Sequence, residues 1–172
     1  MTIRKNTHSP LRMPRLLLGQ DTVMCRAALT DSCRYTLPPE DQPDINKLFG
    51  IGYLNCLPIK SGKPVPPHRC NSVRVGWSYD PATDSFPLSA YWYSEGKRHS
   101  HHMCSAVAGE SFQVEIKRKG REHLISIWTG LPSGPSRMSV EVRPSWLAYM
   151  LRPYFGGNRK APHDMEIRID VL

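Results

Sequence analysis

The feature that most constrains the fold is a strict two-residue alternation at positions 165 to 171. Apolar and charged side chains take turns there, in the order Met-Glu-Ile-Arg-Ile-Asp-Val. Successive side chains of a β-strand point to opposite faces, so this stretch has one apolar face and one charged face. It predicts a half-buried strand with Glu166 and Asp170 on the solvent side.

The same alternation occurs on both sides of a turn in the middle of the chain. Positions 73 to 77 read Val-Arg-Val-Gly-Trp and positions 88 to 93 read Leu-Ser-Ala-Tyr-Trp-Tyr. Positions 80 to 84, Asp-Pro-Ala-Thr-Asp, are typical of a β-turn. We predict a hairpin in which the outward side chains of the two strands are neighbours. Those side chains are Arg74, Gly76, Tyr91 and Tyr93.

Further strands follow from shorter patterns, and no stretch predicts a convincing helix. They are expected at 24–29, 46–53, 112–117, 123–128, 140–142 and 146–151. About eight or nine strands with frequent turns predict an all-β fold, a two-sheet antiparallel sandwich or jelly roll. In the strand at 46–53, Gly50 and Gly52 alternate with bulky residues, which indicates close approach by other backbone.

The length of 172 residues favours one domain with a real core. Residues 1 to 15 are polar, basic and interrupted by Pro10 and Pro14, so we expect a loose basic N-terminal arm. Residues 16 to 172 then form the single β-sandwich domain.

The formal net charge of +8 permits binding to phosphate, to anionic polysaccharide or to a membrane surface, and does not choose among them. The basic residues are scattered over the N-terminal arm, the turn at 117–121 and the tail. Charged edges and turns also protect β-proteins from pairing with one another, so solvated edges are the simpler interpretation.

The five cysteines show no Cys-x-x-Cys pair and no regular spacing. We therefore expect buried, reduced thiols rather than a disulfide scaffold or a zinc site. The apolar run Leu16–Leu18 is too short for a signal peptide, and no stretch approaches a transmembrane helix. These observations favour a cytoplasmic protein without a membrane partner, although a leader outside this sequence would permit export.

Several enzyme classes lack their motifs in this sequence. There is no Gly-x-Ser-x-Gly elbow, no Gly-rich phosphate loop, no dinucleotide fingerprint and no His-Glu-x-x-His. Glu166 and Asp170 share a strand face, but we interpret them as solvent-side residues rather than the paired carboxylates of a glycosidase.

Three histidines lie within one stretch of four residues, just after an aromatic strand. They are His99, His101 and His102. A metal site could use two of them with His163 or Asp164 from the tail loop. The simpler interpretation is an exposed polar turn, and we predict no metal and no cofactor.

Aromatic residues carry the best argument for binding. Tyr91 and Tyr93 lie on the strand face opposite the apolar residues, beside Arg74 across the hairpin. Aromatic rings can pack against the C–H faces of sugars while polar side chains bond to hydroxyls, so this mixture suits a carbohydrate. The alternative is that both tyrosines are covered by the rest of the protein.

Four segments resemble parts of a group of small uncharacterised jelly-roll proteins that are similar to the concanavalin-like lectins and glucanases. They are 46–50 (Asn-Lys-Leu-Phe-Gly), 71–77 (Asn-Ser-Val-Arg-Val-Gly-Trp), 90–93 (Ala-Tyr-Trp-Tyr) and 153–164, which contains Pro-Tyr-Phe-Gly-Gly and Ala-Pro-His-Asp. The resemblance spans about residues 46 to 171 and implies a jelly roll with a concave face that often holds glycan. The acidic strand motif of the glucanases, Glu-x-Asp-x-x-Glu, is absent, so the resemblance does not imply glycoside hydrolysis.

Three functional hypotheses follow, and the first is a non-enzymatic, lectin-like domain that binds a carbohydrate or a similar polar ligand. The second is a polysaccharide lyase acting on a uronate polymer, in which a cation neutralises the carboxylate and a Tyr or His moves protons. The third is a nucleic-acid or protein interaction module that uses the basic turns, and the oligomeric state is left open. The candidate ligand-binding residues are Arg74, Tyr91, Tyr93, His101, Asn158, Arg159 and His163.

Overall fold

A computed structural model describes residues 1–10, 15–54, 59–60, 63–64, 66–130 and 134–172. Within these ranges the chain forms fourteen strands and two short 3₁₀ turns, at Asp31–Cys33 and Pro67–Arg69. The strands are β1 (Thr2–Ile3), β2 (Leu16–Leu18), β3 (Thr22–Leu29), β4 (Asn46–Tyr53), β5 (Ile59–Lys60), β6 (Lys63–Pro64), β7 (Ser72–Trp77), β8 (Phe86–Ser94), β9 (Lys97–Ala106), β10 (Ser111–Lys119), β11 (Glu122–Trp128), β12 (Ser136–Glu141), β13 (Leu147–Leu151) and β14 (Met165–Val171).

Twelve of these strands form two antiparallel sheets of six strands each, so the predicted two-sheet sandwich is confirmed. The first sheet has the order β1-β14-β3-β10-β11-β12, and the second has the order β2-β13-β4-β7-β8-β9. The small β5–β6 hairpin is separate from both. Neighbouring strands in these orders are mostly distant in sequence, so residues from several parts of the chain meet on one sheet face.

The core lies between the two sheets and is filled by alternating side chains of both. Val73, Val75 and Trp77 of β7 are completely buried, as are Met165 and Ile167 of β14. The predicted alternation of β14 weakens toward its end, where residue 169 is half-buried and residue 171 is exposed. The core also contains a polar pair: the ring of His123 donates from Nδ1 to the Arg121 carbonyl and accepts at Nε2 from the Tyr53 hydroxyl, 2.6 Å away.

The predicted hairpin of β7 and β8 is present, but its expected neighbours are found only in part, because Gly76 does not lie beside a tyrosine. Arg74 lies directly opposite Tyr91, as expected, while Tyr93 lies opposite Ser72 and Gly76 lies opposite Ser89. The strands predicted at 24–29, 46–53, 112–117 and 123–128 are also present. The strand predicted at 146–151, which we expected to be buried, begins one residue later, and the indole of Trp146 is 76% exposed.

The histidine-rich segment is an edge strand rather than the predicted turn. Residues 97 to 106 form β9 at the end of the second sheet, and positions 97 to 102 are exposed as expected. The sequence resembles a turn because an edge strand, like a turn, is dominated by charged and polar residues. In the described part of the chain, no three His, Cys, Asp or Glu side chains are grouped as metal ligands would be.

The first ten residues are tied to the sandwich, in contrast to the loose arm that we expected. β1 pairs with β14, and Asn6, Thr7 and His8 exchange backbone hydrogen bonds with Phe155 and Ala161. The backbone N–H of Asn6 donates to the Ala161 carbonyl at 2.9 Å, for example. Pairing with another segment satisfies backbone groups that the polar composition alone would leave to water. Residues 11 to 14, which include Pro14, lie outside the described part of the chain.

The expectation of reduced thiols is correct for part of the cysteine set only. Cys25 and Cys33 are buried free thiols and Cys104 is a half-buried one, and burial raises the pKa of Cys25 to about 12. Cys70, in contrast, is disulfide-bonded, which corrects our prediction. Spacing could not show this because it does not reveal which loops meet in the fold. Cys56 lies outside the described residues.

In the part of the chain that the structure describes, no helix is long and apolar enough to cross a membrane.

Candidate functional site

A cavity of about 560 Å³ opens on the outer face of the second sheet, the face that does not contact the first sheet. Its floor comes from β4, β7, β8 and β13, and its walls come from the 3₁₀ turn at Pro67–Arg69 and the segment 152–158. Ser9 and Pro10 of the N-terminal arm complete one side. Strand alternation explains the floor, because the residues of β7 and β8 that do not enter the core must point outward.

Arg74 lies in the floor of the cavity and is 5% exposed. Its Nε and Nη2 atoms are buried and have no hydrogen-bond partner in the described structure. The guanidinium carbon lies 5.8 Å from the centre of the Tyr91 ring, a cation–π contact. Burial lowers the pKa of Arg74 to about 10. A buried cation without an anionic partner is costly, so this group is poised to receive one.

Two glycines of β4 make room for this floor. A β-carbon at Gly50 would lie 2.4 Å from the β-carbon of Arg74, and one at Gly52 would lie 2.9 Å from the Tyr149 ring. Side chains at either position would therefore displace groups of the floor. The close approach of backbone predicted from the alternating glycines is confirmed at Gly50, whereas the nearest group at Gly52 is the Tyr149 side chain.

Lys47 adds a second partly buried cation. Its Nζ donates to the Gly156 carbonyl at 3.2 Å and lies 5.1 Å from the centre of the Tyr91 ring. Burial lowers the pKa of Lys47 to about 8, and the nearby positive charge of Arg74 makes a smaller contribution in the same direction. The charge of Lys47 therefore changes close to physiological pH.

His68 and Tyr149 form a hydrogen-bonded pair in the wall. The backbone N–H of His68 donates to the Tyr149 hydroxyl at 3.2 Å, and the His68 Nδ1 atom lies 3.1 Å from the same oxygen. Burial and the adjacent charge of Arg74 lower the pKa of His68 to about 3, so its imidazole is neutral at pH 7. Burial raises the pKa of Tyr149, which therefore keeps its proton.

Four of the seven candidate residues line the cavity: Arg74, Tyr91, Tyr93 and Asn158. Tyr91 and Tyr93 have ring centres 5.9 Å apart, and burial raises the pKa of Tyr91 to about 12. The alternative that these tyrosines are covered applies in part, because Tyr91 is only 5% exposed yet still borders the cavity.

The other three candidates do not line the cavity. His101 pairs with Ala90 and Ser100 pairs with Tyr91, so His101 points to the opposite face from Tyr91. Arg159 forms an ion pair with Asp41 at 2.6 Å. The Nε2 atom of His163 lies 2.9 Å from the Ser32 carbonyl. The structure therefore does not bring His163 together with Arg74 and Tyr91.

Several residues that line the cavity were not predicted from the sequence. These are chiefly Lys47, His68, Arg69, Arg98, Tyr149, Arg152 and Tyr154. For Tyr149 a signal existed, since its neighbours Ala148 and Met150 are apolar and alternation places the phenol on the outer face. The others depend on how loops and distant strands meet.

Comparisons of the fold support the jelly-roll interpretation. The structure is similar to an alginate lyase from Klebsiella pneumoniae, with a TM-score of 0.56 and 10% identity over 88% of this chain and 59% of the lyase. It is also similar to a functionally unknown protein from Saccharomyces cerevisiae, with a TM-score of 0.55 and 10% identity over 99% of this chain and 87% of that protein.

A third structure is the acidic lectin of winged bean in complex with methyl-α-D-galactose. It gives a TM-score of 0.50 and 14% identity over 99% of this chain and 83% of the lectin. The shared architecture is a two-sheet antiparallel jelly roll, the fold that the resemblance in the sequence implied. No protein-family model and no curated protein sequence matches the chain.

Proposed function

We propose that the protein binds acidic carbohydrate chains in the cavity of the second sheet, with Arg74 as the anchor for a carboxylate. The observation that carries the proposal is the buried guanidinium group of Arg74, two of whose nitrogens have no partner within the described structure. A carboxylate matches the forked geometry of a guanidinium group and would supply the missing hydrogen bonds.

The charge of the lining also favours an anion. Among the described residues that border the cavity there are five Lys or Arg side chains and no Asp or Glu. A water-restricted cleft lined by one sign of charge concentrates ligands of the opposite sign. A neutral ligand would leave these cations uncompensated.

The aromatic side chains favour a sugar over a smaller anion. Tyr91, Tyr93 and Tyr154 all border the cavity, and Lys47 lies 5.8 Å from the centre of the Tyr154 ring. Tyr93 and Tyr154 are half-buried, so part of each ring can pack against sugar C–H groups while the cations bind carboxylates. The proposal also extends to this chain the ligand class of two fold neighbours, the galactoside-bound lectin and the alginate lyase.

Calorimetric titration with uronate oligosaccharides, and with neutral oligosaccharides of the same length, tests this function. We expect binding of the acidic series and no measurable binding of the neutral series. Equal affinity for both series, or no binding of any acidic oligosaccharide, would contradict the proposal.

The ionisation of Lys47 gives a pH dependence to the same titration. Below about pH 8 its amine is positively charged and attracts a carboxylate, and this attraction is lost as the pH rises through that value. We expect the affinity for a uronate oligosaccharide to fall about tenfold between pH 7 and pH 9.

Two variants of Lys47 make this expectation specific. Lys47→Met removes the titrating amine, so its affinity should be low and constant across the range. Lys47→Arg keeps a charge that does not titrate there, so its affinity should hold at pH 9. A wild-type affinity that is the same at both values would show that Lys47 does not contact the ligand.

A lyase is the second candidate function, and the observation that favours it is the His68–Tyr149 pair beside Arg74. In β-elimination from a uronate, a base removes the proton on C5 while the C4–O4 bond breaks and its electrons leave with the oxygen. A double bond forms between C4 and C5, and an acid protonates the leaving oxygen. The unprotonated ring of His68 has a lone pair that can accept the C5 proton, the phenol of Tyr149 can donate a proton to O4, and Arg74 can neutralise the carboxylate.

Incubation with uronate polymers separates binding from catalysis. A lyase gives rising ultraviolet absorbance from the unsaturated product, and Tyr149→Phe is expected to slow that rise at least tenfold because it removes the proton donor. Tyr93→Phe is the matched control, since it removes a phenol hydroxyl from the same cavity that has no place in this mechanism. Binding without any absorbance change would leave the protein a lectin-like domain.

The basic turns offer less support for a nucleic-acid module. In the turn around Gly120, Arg118 donates from Nε to Asp21 at 2.8 Å, so one of its cations is already compensated. Binding through these turns would weaken steeply with added salt, because phosphate contacts release counterions. Titration with DNA and RNA at two salt concentrations identifies that behaviour.

A further inference from the structure

Arg152 is a second guanidinium group with a buried, unsatisfied nitrogen. It follows β13, borders the same cavity as Arg74, and its Nη1 atom has no hydrogen-bond partner in the described structure. Arg74 and Arg152 are the charged side chains with this property among the residues that the structure describes. Arg74 is buried with two unsatisfied nitrogens and Arg152 is half-buried with one, so the cavity offers two points of anion contact.

The two guanidinium groups belong to separate parts of the floor and wall. β13 and β7 are separated by β4 in the second sheet, so their backbones lie about two strand spacings, or about 9.5 Å, apart. Arg152 follows Leu151, which pairs with Gly50, and Gly50 in turn pairs with Arg74, so the two arginines border the cavity from backbone segments on either side of β4. One carboxylate on Arg74 would therefore leave Arg152 without a partner.

We infer that the cavity takes two consecutive uronate units of an acidic polysaccharide, one carboxylate binding Arg74 and the next binding Arg152. This inference rests on the proposed function. A polymer of uronates carries a carboxylate on every unit, whereas a glycan with a single acidic sugar satisfies only one of the two cations. A cavity of about 560 Å³ is within the range that encloses ligands larger than a monosaccharide.

Arg69 and Arg98 add two further positive charges at the rim of the cavity. Both border it, and both positions are exposed at the rim. Exposed cations steer an anionic chain but contribute little to its affinity once it is bound. The two guanidinium groups with unsatisfied nitrogens thus determine the number of units that are recognised, and the rim accelerates capture of the chain.

Calorimetry with glucuronate and with its disaccharide and trisaccharide tests this inference. We expect the disaccharide to bind the wild-type protein at least tenfold more tightly than the monosaccharide. Arg152→Gln should abolish this difference while changing the affinity for the monosaccharide less than twofold. Arg74→Gln should weaken both ligands, and Arg137→Gln, an exposed arginine on β12 of the other sheet, should change neither.

The outcomes distinguish this inference from the function on which it rests. A monosaccharide that binds as tightly as the disaccharide, or an Arg152→Gln variant that weakens both ligands equally, overturns the two-unit site while acidic-sugar binding stands. Absence of binding by all three saccharides, repeated with mannuronate and galacturonate oligomers, overturns the proposed function itself. Circular dichroism of each variant checks that the fold is retained.

Discussion

Replacing Arg74 by glutamine is expected to weaken the binding of uronate oligosaccharides about 100-fold or more, because it removes the buried partner of a carboxylate. The same change should stabilise the folded protein without ligand. The guanidinium group is buried, two of its nitrogens are unsatisfied and it has no anionic partner in the described structure, so folding includes the cost of desolvating this charge. We expect the free energy of unfolding to rise by about 1 to 4 kcal/mol.

Two measurements on the same variant therefore should move in opposite directions. Calorimetry gives the loss of affinity, and urea denaturation of the free protein gives the gain in stability. Arg137→Gln removes the same charge from an exposed position and should alter neither quantity. If Arg74→Gln instead destabilised the free protein by several kcal/mol, Arg74 would be a structural residue and the binding proposal would lose its main support.

Substituting alanine for Gly50 is the second large expected effect. A β-carbon there would lie 2.3 Å from the Val73 carbonyl oxygen and 2.5 Å from the Arg74 α-carbon. Both are backbone atoms of the neighbouring strand, so no flexible side chain can move aside. Overpacking against backbone should cost about 3 kcal/mol of stability and displace Arg74 from the cavity floor.

Gly130→Ala is the matched control for this substitution. Its β-carbon would meet only the carboxyl group of Glu110, at the end of a flexible side chain. The alanine at 130 should therefore change stability by less than about 0.5 kcal/mol. Thermal and urea denaturation compare the two variants, and equal stability would mean that β4 and β7 are not packed as closely as described.

The strands of this protein could be predicted from its sequence because alternation is a local pattern. The hairpin of β7 and β8 placed Arg74 opposite Tyr91, since a short turn fixes the register of the strands that it joins. The same reasoning identified Gly50 and Gly52 as points of close approach. These local inferences identified residues that lie at the centre of the cavity floor.

The rest of the cavity could not be predicted in this way, because it depends on the order of strands in the sheet. β13 lies beside β4 although about 95 residues separate them, and this pairing brings Tyr149 next to Gly52. Lys47 and His68 join the same site from a strand and a 3₁₀ turn that local patterns did not connect to it.

The tail loop shows the opposite error. Arg159 and His163 have the side chains that ligand sites use, yet Arg159 pairs with Asp41 and His163 lies against the Ser32 carbonyl. Groups that can bind a ligand can equally bind the scaffold, and sequence does not distinguish the two uses. The structure gives both side chains partners within the protein, whereas it leaves Arg74 and Arg152 with unsatisfied nitrogens.

The pairing of β1 with β14 bears on how the protein should be prepared for experiments. A polar, proline-containing leader of this kind is often trimmed to improve crystals. Removing residues 1 to 10 would take Ser9 and Pro10 from the cavity. It would also leave β14 as an unpaired edge strand of the first sheet. Such an edge offers unpaired backbone groups to other molecules, so a trimmed preparation would be prone to self-association.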